Sequence, residues 1–269
     1  MFAGKVAIVT GSTSGIGQAT ALLMAKRGAR AVIHGQSKER LQNTLQLFAQ
    51  NGVKEDQLHV VMGPITEESV QRKLIDETVQ KFGRLDVLVN NAGTLSKPGL
   101  NQLDVRNLDF IFNVNFRSIF TLTQLAAPHL AKQKGAIVNV SSVSSTIPVP
   151  EFCSYALCKA ALDHFTRISA LMYAPDVRVN SVNPGFVKSL IATGVGLREA
   201  DAFEAAFRPI CESHVPQRRM GKASEVAEII ALLASKQTAW VTGSMYTVDG
   251  GIEAGPALPK EKPKKPVAN

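Results

Sequence analysis

Cysteine, tryptophan and long apolar runs are all scarce in this chain. Its 269 residues hold three cysteines, one tryptophan and three tyrosines. Cys153, Cys158 and Cys211 have neither metal-ligand nor disulfide spacing, and an odd, sparse count fits reduced thiols in a reducing compartment. Cys153 and Cys158 read as small buried residues. None of the five histidines falls in a H-E-x-x-H zinc pattern, so no metal site is expected. The G-x-S-x-G elbow of hydrolases is also missing. No apolar run approaches the ~18 residues of a membrane-spanning helix, so no membrane partner is expected. No basic face interleaved with aromatics appears, which argues against nucleic acid as a partner. A strand-like run begins within five residues of Met1 and leaves no room for a signal or transit peptide. The final Val267-Ala268-Asn269 is not a Ser-Lys-Leu-type address. A cytoplasmic location is therefore expected.

Core material, by contrast, is plentiful. Hydrophobic residues make up 45% of the chain, enough for one large α/β domain or two small ones. The net charge of +8 is unevenly placed. Between Pro259 and Asn269, Lys260, Lys262, Lys264 and Lys265 are opposed only by Glu261. That leaves about +5 on the body, an ordinary value. A single domain over 1–254 is expected, with a disordered proline- and lysine-rich tail over 255–269.

Lys5 to Thr10 is an apolar β-rich run, expected to be a strand buried on both faces. Gly11-Ser12-Thr13-Ser14-Gly15-Ile16-Gly17 follows, then a helical pattern to about Arg27. Strand, glycine loop and helix form the context of a phosphate-binding turn. The glycines permit a tight turn, and the new helix points free N–H groups at an anion. A plain glycine-rich turn is the alternative. A second strand runs from Ala31 to Gly35. Its end is where an acidic residue would accept the ribose 2′-hydroxyl of NAD. Here stand Gln36, Ser37, Lys38, Glu39 and Arg40, with no carboxylate directly at the strand end. Ser37, Lys38 and Arg40 suit a 2′-phosphate, or equally an N-cap and a solvated first turn.

Further strands are expected at Leu58–Met62, Leu85–Asn90, Ala136–Ser141, Val177–Val182 and Gly243–Val248. Helices fall between them, with Thr66, Asp104 and Ser224 as expected starts and Gly83 as a stop. A long helical region from Asp104 to Lys132 is expected to bend near Asn115. Asn113 and Asn115 sit in an apolar stretch and need hydrogen-bond partners, so they read as structural with a catalytic role open to one. Apolar residues between Phe186 and Val215 suggest a helical cover over a pocket. The alternation of strands and helices predicts an α/β fold: a Rossmann-like, doubly wound, mostly parallel seven-stranded sheet with helices on both faces. Ligands then gather along the carboxyl edge of the sheet.

A candidate acid/base pair follows, for which two solvated residues on an exposed helix are the alternative. Tyr155 and Lys159 are four apart and share a helix face. An ammonium beside a phenol of ordinary pKa about 10 favours phenolate and makes the tyrosine usable as an acid or base. Ser142 closes the Val-Asn-Val-Ser-Ser run upstream.

These residues together resemble the short-chain dehydrogenase/reductase family, especially its single-domain carbonyl and 3-oxoacyl reductase-like members. The match runs from about Lys5 to Gly251. It rests on Thr10-Gly11-x-x-x-Gly15-Ile16-Gly17, Asn90-Asn91-Ala92-Gly93, Asn115, Ser142, Tyr155-x-x-x-Lys159, Pro184-Gly185 and Asp249-Gly250-Gly251. The resemblance implies Tyr155 as general acid/base, Ser142 as the group orienting the carbonyl oxygen, and Lys159 as tuner of the tyrosine and binder of the nicotinamide ribose. It implies Asn115 as holder of a relay water. Gly11, Ser14, Ile16, Gly17, Gln36, Ser37, Asn91, Gly93, Pro184 and Val187 match cofactor-binding positions, as do Tyr155 and Lys159 themselves. Ser189 matches a position that commonly holds a carboxamide-contacting threonine.

Two departures stand out. Gly63-Pro64-Ile65 replaces an Asp often found near the adenine, and Gln36 stands where NADP-preferring relatives often place Arg. NADP(H) is favoured because no carboxylate opposes the phosphate, and NAD(H) remains open. The implied function is hydride transfer between a nicotinamide cofactor and a small hydrophobic carbonyl or secondary alcohol. A non-catalytic dinucleotide-binding sensor or scaffold is the alternative. The resemblance also implies a homo-oligomer, tetramer or dimer, for which Phe116, Phe120, Leu122 and Leu125 supply apolar surface. Burial of that surface against the chain's own sheet is the competing reading.

Overall fold

In the computed structural model, which describes residues 1–191 and 200–257, the alternating pattern closes into one seven-stranded sheet. Its strands are β1 (Val6–Val9), β2 (Arg30–Gly35), β3 (Leu58–Met62), β4 (Val87–Asn90), β5 (Ala136–Val140), β6 (Arg178–Pro184) and β7 (Met245–Val248). Their order in space is β3-β2-β1-β4-β5-β6-β7, and every pairing is parallel. The chain winds one way from β1 to β3, returns to β4, and winds the other way to β7. That is the doubly wound fold expected, with a sheet that is wholly parallel.

The helices are α1 (Gly15–Lys26), α2 (Lys38–Gln50), α3 (Glu68–Phe82), α4 (Val105–Phe112), α5 (Ser118–Ala131), α6 (Cys153–Tyr173), α7 (Ala200–His214) and α8 (Ala223–Ala234). The continuous apolar character of β1 has a direct cause. Successive strand side chains face opposite sides. Ala7 and Val9 therefore join one core with Met24, Phe48 and Ile230 from α1, α2 and α8. Val6 and Ile8 join the other with Leu74 and Leu130 from α3 and α5. Strands covered on both faces need no polar alternation.

The helix ends show where local signals held and where they did not. Gly83 ends α3 in the left-handed conformation, with φ of 74°. Asp104 caps α4 by accepting from Arg106 N at 2.8 Å. Thr66 is not the cap of α3. The Glu67 N–H closes a turn onto Pro64 O, and the helix starts one residue later with Glu67 at the N-cap. Ser224 likewise lies inside the first turn of α8; Lys222 takes the cap position and its N–H is met by Glu225 at 2.8 Å. The expected bend near Asn115 is a π-helical turn, Asn113–Arg117, joining α4 to α5. Such a turn carries an extra residue per turn and re-aims the side chains within it. Asn115 ends fully buried, whereas Asn113 is half-buried. Cys158 is buried as expected, and Cys211 is buried too, but Cys153 at the start of α6 is only half-buried. Of the apolar surface on α5 and the turn before it, Leu122 belongs to the core, while Phe120 is 40% exposed. Residues 192–199 of the expected cover and 258–269 of the expected tail lie outside the described residues.

The amino edge of the sheet is fixed by a buried carboxylate. Asp86 accepts from Val6 N at 3.0 Å, from Lys5 Nζ at 2.9 Å and from both arms of Arg84 at 2.7 Å. Burial alone would raise its pKa. The Arg84 and Lys5 hydrogen bonds and the Val6 N–H outweigh it and hold the carboxyl below its ordinary range. Asp86→Ala is expected to cost about 2–3 kcal/mol in a denaturant melt, less than a fully buried pair because both cations keep part of their hydration. The folded carboxyl has the lower pKa, so this contribution is complete at neutral pH and is lost as pH falls through the folded value. An unchanged midpoint in the variant would show that the ion cluster does not hold the β1–β4 edge.

Candidate active site

The carboxyl edge begins with the glycine loop. Gly11 and Gly15 have φ of 63° and 55°, where a side chain is strained. A Cβ at Gly11 would stand 2.9 Å from Ala92 Cα, and one at Gly17 would stand 2.5 Å from the Gly11 carbonyl oxygen. Gly17 is therefore spent inside the protein, on room for Asn91. The Asn91 amide donates to the Thr10 and Gly11 carbonyls at 2.8 and 3.2 Å and ties the end of β4 to the loop. Ser14, at the N-cap of α1, makes no side-chain cap. The first-turn N–H groups have no partner within the helix. Small residues, positive φ and an uncapped helix start fit the pyrophosphate of a dinucleotide. Ser189 comes close to this loop, 3.5 Å from a Cβ placed on Gly15.

His34 was not singled out by sequence, because a histidine in a strand carries no signal of where its ring points. It is 2% exposed and braces the loop from below. Nδ1 accepts from Gly11 N at 3.1 Å, and Nε2 lies 3.1 Å from the Gly63 carbonyl oxygen. A backbone N–H can only donate and a carbonyl can only accept, so these two partners specify a neutral ring with its hydrogen on Nε2. Burial pushes the ring pKa down to about 4, the Gly63 carbonyl working weakly against it. The Gly63-Pro64-Ile65 departure thus has a use: Gly63 O receives the ring that orders Gly11. Beyond β2, Gln36, Lys38 and Arg40 are exposed. Ser37 caps α2, accepting from Arg40 N at 3.3 Å.

The next loops along the edge bring the polar side chains together. Asn115 accepts from Thr94 N at 2.9 Å and donates to Thr94 O at 2.8 Å, so the π turn holds the loop after Gly93. The space beside Gly93 is filled by this amide, whose Oδ1 would meet a Cβ there at 3.3 Å. Ser142 follows β5 and accepts from Ser144 N at 3.1 Å. The Tyr155 hydroxyl shares a hydrogen bond with Ser142. Lys159 is 3% exposed, and its ammonium donates to Val140 O at 2.7 Å and stands 5.4 Å from the Tyr155 ring centre. Burial draws this lysine down to about 8. The phenol differs from expectation. Burial pushes its pKa up, and the Ser142 hydrogen bond opposes that push only in part. A buried hydroxyl has lost the water that would solvate phenolate.

Pro184 and Val187 complete the edge. Pro184 ends β6, and Val187, 5% exposed, bridges Gly221. The cover expected beyond them includes α7. Phe203 and Phe207 of α7 stack on each other at 4.7 Å, and Phe207 meets Phe186 at 5.4 Å and Phe152 at 6.5 Å. Tyr155 and Phe203 share one apolar cluster with Leu95. The predicted site residues Gly11, Ser14, Ile16, Asn91, Gly93, Asn115, Ser142, Tyr155, Lys159, Pro184, Val187 and Ser189 therefore sit along one edge. Gly17 supports the loop from within it. Gln36 and Ser37 lie on the same edge where β2 passes into α2.

Comparison with known proteins gives a consistent picture. A family model described as enoyl-(acyl carrier protein) reductase matches residues 11–253. The 3-oxoacyl-(acyl-carrier-protein) reductase FabG of Thermotoga maritima is 36% identical over 251 residues, covering 93% of this chain and 98% of that protein. Dehydrogenase/reductase SDR family member 4 of Caenorhabditis elegans is 32% identical over 257 residues, covering 94% and 96%. A crystal structure of a short-chain dehydrogenase/reductase of unknown function from the same nematode, with cofactor, superposes with a TM-score of 0.88 at 36% identity, covering 94% and 96%.

The neutral His34 ring makes a pH prediction. Its folded pKa, about 4, lies below the ordinary value of 6.5. Between those values the unfolded chain binds the extra proton, so stability falls as pH is lowered through that window. About 3 kcal/mol is expected to be lost between pH 7 and 4 from this group. His34→Asn, which does not titrate, should remove most of that slope in urea melts. Equal slopes for both proteins would contradict the neutral, doubly bonded ring.

Proposed function

The chain belongs to the short-chain dehydrogenase/reductase family, and from that membership we propose that it interconverts a small apolar carbonyl compound and its secondary alcohol. A nicotinamide cofactor, when bound, supplies or takes up the hydride at the carbonyl carbon. NADP(H) is the preferred form. Exposed Lys38 and Arg40 beside Gln36, with no carboxylate directly at the end of β2, support that preference.

The observation that carries the reading is the Ser142–Tyr155–Lys159 arrangement beside the glycine loop. Ser142 donates to the substrate oxygen and orients it. Tyr155 gives that oxygen its proton in reduction and takes it back in oxidation. Burial keeps the phenol protonated, so the acid form is the resting one. The proton it gives up is replaced through Lys159, whose ammonium sits near its own midpoint at neutral to mildly alkaline pH. Asn115 holds Thr94 in place and holds the water that relays protons from Lys159. Gly11, Ser14, Ile16, Asn91, Gly93, Pro184 and Val187 receive the dinucleotide, and Ser189 meets its carboxamide. The rings of Phe152, Phe186 and Phe207 support an apolar substrate. Exposed Phe120 supports a homo-oligomer, while Phe116 and Leu125 pack partly against the chain's own core; a cytoplasmic location is part of the same reading.

The test is oxidation of NADPH and of NADH against ketones, quinones, steroids and 3-oxoacyl thioesters. NADPH should be consumed faster, with an apolar ketone. Tyr155→Phe should lower reduction at least about 100-fold, the usual worth of a positioned acid, while cofactor affinity stays within about threefold, an RT-sized change. Near-wild-type turnover in that variant would remove the acid/base assignment.

A further inference from the structure

Two carboxylates are buried among the described residues, Asp86 and Asp163. Asp86 is accounted for by Lys5 and Arg84. Asp163 is 6% exposed and lies on α6, one turn beyond Lys159 and two beyond Tyr155. It makes no direct ion pair among the described residues. Its partners come from β6: Asn183 Nδ2 donates at 2.7 Å, and Ser181 Oγ stands 3.3 Å away. Ser181 has a single hydroxyl hydrogen, and Asn183 Oδ1 claims it at 2.7 Å. Asp163 is thus left with one strong donor for a charge that could accept from about four. A buried carboxylate so short of donors needs a cation's field.

The same Asn183 amide reaches on to the loop after β5. Its Nδ2 stands 3.0 Å from Ser145 Oγ and 3.3 Å from Ser142 O. Ser145 Oγ in turn donates to Ser142 O at 2.8 Å. One carboxylate therefore connects the helix bearing Tyr155 and Lys159 to the turn bearing Ser142. Building on the proposed activity, we propose that Asp163 is a positioning residue of the site: it is the countercharge of the buried Lys159 ammonium and, through Asn183, the anchor that sets Ser142 against Tyr155.

Electrostatics at the lysine agree with this. Burial draws Lys159 down to about 8, and the two side chains that oppose the shift are Cys158 and Asp163. Burial pushes the Cys158 thiol up to about 11, so at neutral pH it is uncharged. Asp163, one helical turn along α6, is the other side chain that favours the ammonium. The elements packed against this part of α6 offer Asn139, Ser141, Ser142, Ser145, Ser181, Asn183 and Asn115, all neutral. Their charged residues stand away from it. Arg106, Asp109 and Arg117 are exposed, and Arg178 is at the opposite end of β6, bonded to Leu233, Ser235 and Thr238.

Asp163→Asn keeps the shape and removes the charge. The gap in thermal stability between wild type and this variant should be greatest below about pH 7 and close as pH rises through about 8, where folded Lys159 loses its proton. The ammonium–carboxylate attraction is present only while Lys159 is charged. In a Lys159→Met background the gap should not vary with pH. In carbonyl reduction, the pH limb that reports Lys159 should move down by about 1 unit, with cofactor KM unchanged. A stability gap independent of pH, or a lowered turnover with an unmoved limb, would overturn the countercharge role. If wild type reduces no carbonyl compound, the proposed activity fails, and the melts alone still decide the role of Asp163.

Discussion

A wholly parallel sheet has a single carboxyl edge, and everything reactive in this chain depends on that constraint. Each strand ends there and each connection leaves from there. Residues as distant in sequence as Gly11, Asn91, Ser142 and Pro184 therefore become neighbours without any of them being in contact along the chain. The helix that follows β1 starts at the same edge, so its free N–H groups face the space where the side chains converge. The opposite edge carries a different task. There Asp86, Lys5 and Arg84 clamp β1 to β4 through contacts that touch nothing in the candidate site.

The reactive edge is expensive to hold together, because it buries polar groups that an apolar core would exclude. The structure meets that cost with linked hydrogen bonds. Asn90 donates to Asn139 at 2.8 Å, and Asn139 donates to Thr166 of α6 at 2.9 Å, forming a polar rung beneath the site. His34 gives up its charge to serve a backbone N–H and a backbone carbonyl at once. Lys159 stays at the margin of its charge, held by Val140 O and the field of a carboxylate one turn away. In the proposed reaction, a lysine poised near neutrality and a phenol kept protonated by burial serve as complementary halves of a proton relay.

Much of this was legible in the sequence. The strands are continuous apolar runs, the glycine loop sits between a strand and a helix, and the spacing of Tyr155 and Lys159 needs only helical geometry. What stayed hidden was orientation. His34 looked like an ordinary strand residue because strand sequence does not reveal which partner waits at its end. Asp163 looked like a polar residue in a helix until β6 supplied Ser181 and Asn183. The phenol was expected to be drawn down by its neighbouring cation. Spacing placed the cation beside the ring, but burial raises the phenol, and what opposes that rise is the Ser142 hydrogen bond. Asn115 was expected to be buried and bonded, yet the π turn that turns it towards Thr94 has no marker in the sequence. Thr66 is not a cap because the Glu67 N–H closes a turn onto Pro64 O first, and α8 begins one residue before Ser224.

The central claim is that a nicotinamide cofactor lies along this edge with its reactive end beside Tyr155. A crystal structure of the full chain grown with NADPH tests it most directly. The account predicts pyrophosphate at the start of α1, the nicotinamide ribose against the Lys159 ammonium, and an open apolar space beside the Tyr155 and Ser142 hydroxyls. A cofactor bound elsewhere, or a nicotinamide ring turned away from Tyr155, would contradict it.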